Sequence, residues 1–120
     1  MTDQAKYYHF RQNNSGGSFV INDRVAHHMV IQAYSAEDAN SRALGLGIYF
    51  DGCETGEDCE CCGDRWYPQE SERYATDVPL VHRDPPEKVD DFFTPPGQPV
   101  CHVYHLDGSK TTYHRKGKEQ

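Results

Sequence analysis

At 120 residues, 36% of them hydrophobic and 26% charged, the chain has room for one small core and no second domain. Its net charge of −7 argues against sequence-independent binding of duplex nucleic acid, which relies on Lys and Arg to neutralise phosphates. No apolar run approaches the ~20 residues of a membrane span, and Met1-Thr2-Asp3-Gln4 lacks the basic start of a signal peptide, so the chain reads as soluble and cytoplasmic.

The first element is Lys6–Gln12 (KYYHFRQ), which sets Tyr8 and Phe10 on one face and Tyr7, His9 and Arg11 on the other. That alternation predicts a strand. The loop Asn13-Asn14-Ser15-Gly16-Gly17-Ser18 carries no side chain for a core. Arg24–Tyr34 (RVAHHMVIQAY) is the strongest strand candidate, and both of its alternating sets are apolar enough to be covered on two sides. Ser35-Ala36-Glu37-Asp38 then begins a helix, with Ser35 at the N-cap and acids in the first turn. Its stripe is Ala36, Ala39, Ala43 and Leu46, and Gly47 is the natural C-terminal cap. Ile48-Tyr49-Phe50 predicts a brief third strand.

Seven prolines, from Pro68 to Pro99, break the next region into extended pieces, with one short strand expected around Val78–Val81. Finally, Val100–Leu106 and Ser109–His114 flank Asp107-Gly108, the signal for a type I′ hairpin. The expected fold is a single α+β domain over residues 1–120: a β-β-α-β start and cysteine loop (6–68), a Pro-rich irregular segment (69–99) and a terminal hairpin (100–115). Its small antiparallel sheet packs on one helix.

Four of the five cysteines, Cys53, Cys59, Cys61 and Cys62, fall within ten residues of an acidic loop. Cys59 and Cys62 have the C-x-x-C-G spacing of a metal knuckle, which aims two thiolates at one ion. Structural zinc would use that pair, with Cys61, Cys53, Cys101 or His102 completing the shell. A redox site and a set of free thiols are the alternatives. The six carboxylates of Asp51–Asp64 count against redox chemistry because they raise thiol pKa values.

The ligand-binding candidate is Arg11-Gln12-Asn13-Asn14-Ser15-Gly16-Gly17-Ser18-Phe19. Consecutive glycines let backbone amides form an anion nest, and Arg11 offers a fork for phosphate. Gln12, Asn13 and Asn14 can read a base or sugar edge, and Phe19 or Trp66 can stack on a ring. The competing reading is a long hairpin turn in which Asn and Gly supply positive φ. His27 and His28, adjacent in a strand, are expected to point to opposite faces and not to share one metal. No serine elbow, H-E-x-x-H or carboxylate pair is present, so the chain reads as a binding protein and not an enzyme.

The segment Tyr7–Pro68 resembles a group of small phage-encoded proteins that share R-Q-N-N-S-G-G-S-F (Arg11–Phe19), G-I-Y-F-D-G (Gly47–Gly52) and C-x-C-C-G-D-R-W (Cys59–Trp66). The resemblance implies a phage origin, the host cytoplasm as its location and an accessory role such as host defence evasion. On this reading the protein sequesters an anionic small ligand, a cyclic nucleotide for example, in a pocket between subunits of a homo-oligomer. The alternative is an acidic, metal-stapled module that blocks a host protein through Glu54–Asp64.

Overall fold

The computed structural model describes residues 5–13, 19–58, 63–89 and 94–115. Among them, strands β1 (Lys6–Arg11), β2 (His28–Ala33), β3 (Pro99–Tyr104) and β4 (Lys110–His114) form one sheet in the order β1-β2-β3-β4. Helices α1 (Ala36–Leu44) and α2 (Gly52–Thr55) follow β2, so the class is α+β. Among the described residues, no helix is long and apolar enough to cross a membrane.

β1 forms because its alternation fits a half-covered sheet. Tyr8 stands opposite Ile31 and Phe10 opposite Met29 in an antiparallel pair, and all four side chains are buried. β2 and β3 run parallel, with Val30 opposite Val103, which makes the sheet mixed. Such a pair needs a long crossover, supplied here by everything between Ala33 and Pro99. β2 starts at His28, four residues later than its apolar pattern suggests. The cause is an Asx turn in which Asn22 Oδ1 accepts from the N–H groups of Arg24 (2.8 Å) and Val25 (2.9 Å), holding the preceding residues out of the ladder.

α1 packs Ala36, Ala39 and Ala43 on the sheet face that holds Tyr8, Phe10, Met29 and Ile31. Ser35 Oγ accepts from Asp38 N–H at 3.0 Å, closing the N-terminus as its sequence suggests. Ile48–Phe50 is not a strand. Ile48 N–H returns to Ala43 O at 3.2 Å, so the chain folds back on the helix end and Ile48 fills the core.

The second face carries Val30, Val100, Cys101 and Val103, and the Pro-rich segment lies across it through Val81 and Val89. Thr76 pairs with Tyr7 by two backbone bonds (2.8 and 3.0 Å) on the outer edge of β1. That cover shields an edge that would otherwise invite pairing with another chain. In place of the expected strand at Val78–Val81, only Val81 is paired, with Asp84. At the terminal hairpin, Gly108 N–H donates to His105 O (3.0 Å), His105 pairs with Ser109, and Gly108 alone has positive φ (94°). The loop is therefore a three-residue turn closed by a left-handed Gly, not the type I′ turn.

Candidate metal centre

The alternation that buries Tyr8 and Phe10 turns His9 and Arg11 to the second face. Arg11 stands opposite His28 and His9 opposite Val30, so His9 and His28 are diagonal neighbours across two strands. His9 Nε2 lies 2.9 Å from His28 Nδ1, with the rings stacked at 5.1 Å between centroids. The third imidazole, His82, descends from the Val81–Asp84 turn. Its ring meets His9 edge-on at 4.9 Å and His28 at 5.5 Å.

The ligand atoms of His9, His28 and His82 all lie within 4.8 Å of one another, close enough to hold one metal ion. In a tetrahedral zinc site, nitrogens at 2.0–2.1 Å from the metal are about 3.3 Å apart, so the 2.9 Å pair needs to open only slightly. Burial, then the neighbouring His82, His27 and Arg11, lowers the pKa of His9 to about 3. His9 is thus the neutral imidazole that a metal requires. His27 stacks on His28 at 4.3 Å and Phe19 leans on His27 at 4.5 Å. The two adjacent histidines do not oppose one another as a strand would dictate, because His27 precedes the ladder.

His9 and His82 also line a cleft of about 560 Å³ with Gln69, Arg73, Tyr74 and Arg83. Gln69 is fixed in place: its Nε2 donates to His9 O (2.6 Å), and its backbone N–H and O pair with the Asn40 amide (2.7 and 2.8 Å). A second cleft of about 340 Å³ shares His9 and Gln69 and adds Arg11, Asn13 and Tyr67. Neither Arg11 nor Arg83 has a side-chain hydrogen bond or ion pair among the described residues, whereas Arg73 lies 5.4 Å over the Tyr74 ring.

Of the ligand-binding residues expected from sequence, Arg11 and Asn13 reach the smaller cleft, and Asn14, Ser15, Gly16, Gly17 and Ser18 lie outside the described residues. Gln12 is fully buried. Its amide donates to Val20 O (3.0 Å) and Ala26 O (3.1 Å), and its carbonyl accepts from Val20 N–H (2.6 Å) and Arg65 Nη1 (2.9 Å). That leaves it no capacity to read a base. Trp66 is 1% exposed in the core and has no face for stacking, and the Phe19 ring leans on His27, tilted by 46°.

Of the expected metal ligands, Cys59, Cys61 and Cys62 lie outside the described residues, and Cys53 sits half-buried in α2. Cys101 and His102 are unsuited to complete their shell. Cys101 is buried with its thiol pushed up to about 12, and both His102 nitrogens are engaged, by Thr112 Oγ1 (2.9 Å) and Asn22 O (2.8 Å). The histidine cluster was partly detectable in sequence: pairing the first two strands antiparallel puts His9 and His28 on one face. His82 had no such signal.

No curated protein and no solved structure matches the chain. Residues 5–120 match the model of the domain of unknown function DUF7296, and the chain belongs to that family.

Proposed function

We propose that the protein is a non-enzymatic binding protein in which zinc, held by His9, His28 and His82, anchors an anionic, nucleotide-type small ligand in the adjoining cleft. The observation that carries this reading is the convergence of His9, His28 and His82, two of which, His9 and His82, line a cleft that also carries Arg73 and Arg83. Imidazole donors suit zinc and its transition-metal neighbours, whereas calcium and magnesium take oxygen ligands. Three protein ligands leave a coordination position for a ligand oxygen, and guanidinium groups pair with phosphate in bidentate fashion. In the setting of the resemblance to phage-encoded proteins, such capture would serve defence evasion by stoichiometric removal of a signal.

Titration of metal-free protein with zinc is expected to show a site that His82→Asn weakens by at least about ten-fold. Cobalt substituted for zinc should give a spectrum without thiolate charge transfer. Strong thiolate bands, with affinity unchanged in His82→Asn, would move the metal to the cysteine loop and refute the reading.

A further inference from the structure

The two clefts are not independent cavities. They share His9 and Gln69, and Gln69 is fixed to β1 by its bond to His9 O and to helix α1 by its two bonds to Asn40. Each side of this divide has the same equipment. The larger cleft has Arg73, Arg83 and Tyr74, a residue 73% exposed. The smaller has Arg11 and Tyr67, 55% exposed.

A tyrosine left that open offers ring surface to a ligand, and each shares its cleft with a cation. Arg73 already lies over the Tyr74 ring, so guanidinium and ring present one composite surface to a planar anion. An exposed tyrosine can stack on a base of any sequence, and an arginine beside it can pair with the attached phosphate. Repetition of that pair across one wall implies repetition in the ligand. The smaller cleft, at about 340 Å³, is large enough for a unit of its own, since small-ligand sites begin at about 300 Å³.

From this arrangement we infer that the ligand is a dinucleotide: two base-and-phosphate units joined by a short link, one on each side of His9 and Gln69. This inference rests on the proposed function and assigns its ligand class. The larger cleft takes the phosphate nearer the histidines, with Arg83 and Arg73 around it and Tyr74 against its base. The smaller takes the second unit, with Arg11 on phosphate and Tyr67 on base. The shared chemistry, two consecutive nucleotide units, occurs both in a free dinucleotide and within a single strand. The net charge of −7 favours the former, because a longer strand brings more phosphates against an acidic surface.

The test is calorimetry of the zinc-loaded full chain with AMP, linear and cyclic diadenylate, and an oligoadenylate of about ten nucleotides. A diadenylate, linear or cyclic, is expected to bind at least about ten-fold more tightly than AMP, and Arg11→Gln and Tyr67→Ala are each expected to remove most of that gain. Both positions are exposed, so the variants should fold, and unchanged circular dichroism confirms it. AMP binding with no gain from either diadenylate, or a gain untouched by both variants, overturns the inference and leaves the proposed function standing. Zinc bound without affinity for any of the four ligands rejects nucleotide capture itself. An oligoadenylate that binds more tightly than both diadenylates overturns the assignment to a free dinucleotide.

Discussion

Val81 and Asp84 exchange both of their backbone hydrogen bonds, at 2.8 and 2.9 Å, so only His82 and Arg83 remain to turn the chain. Both are forced into left-handed backbone, with φ of 50° and 75°. This is the geometry of a type I′ turn, normally filled by Gly, Asn or Asp. A side chain there costs roughly 1 kcal/mol or more, and Val81, buried against Val30 and Val103, holds the turn in place. The strained residues are the ones that face the cleft, one imidazole and one guanidinium. Strain of this kind clusters at ligand clamps and active sites, in keeping with the proposed role of the cleft.

Replacing Arg83 by Gly should therefore stabilise the protein. The gain is about 0.5–1 kcal/mol, after the greater chain entropy of Gly is set against the relieved strain. Urea denaturation of metal-free protein measures it. Phosphate binding to the zinc-loaded form should fall at the same time. An unchanged or lower urea midpoint would show that the turn carries no strain.

Gln12→Leu separates a structural role from a ligand-reading one. The side chain makes four hydrogen bonds, linking Val20, Ala26 and Arg65. Leucine fills most of the volume but strands those donors and acceptors, at a cost of about 2–4 kcal/mol. Chemical denaturation should register that loss. A stable variant with weakened nucleotide affinity would instead return Gln12 to the binding surface.

Much of the frame was legible because its causes are local. Tyr8 and Phe10 alternate with polar neighbours, and Ser35 stands three residues before the Asp38 N–H it caps. Where local pattern and long-range pairing disagree, pairing wins. The Asn22 turn shortens the second strand, and the His105–Ser109 bond lengthens the terminal loop by one residue beyond what Asp107-Gly108 suggests. The site was harder to see for the same reason. His82 sits in a segment without periodicity, and its position depends on Val81 reaching Val30 and Val103 across the sheet. Gln12 and Trp66 looked like ligand contacts because polarity and aromaticity in a loop say nothing of burial.

Cys101 provides a check on the second face. Burial alone pushes its thiol up to about 12, so at pH 8 about one thiol in ten thousand is thiolate, and only thiolate alkylates. Iodoacetamide at that pH should leave Cys101 unmodified in folded protein and label it fully in urea, as read by peptide mapping. Rapid labelling of Cys101 in the folded state would mean that the Val81–Val89 cover over β3 opens readily.

Asp38 sets an acid limit on helix α1. Its carboxylate is held below the ordinary aspartate range chiefly by the Tyr34 N–H (3.0 Å); burial opposes that lowering, and the Arg42 guanidinium (3.0 Å) adds to it. A folded-state pKa below the unfolded value of about 3.9 means that folding favours the ionised form. The stabilisation is complete above that value and is lost as pH falls through the folded pKa. Asp38→Asn should therefore be less stable than wild type at pH 7, and the two should converge as pH falls through the folded-state pKa of Asp38. Urea midpoints from pH 7 down into the acid range give the comparison, and a gap that does not narrow as pH falls would assign the effect to geometry instead of charge.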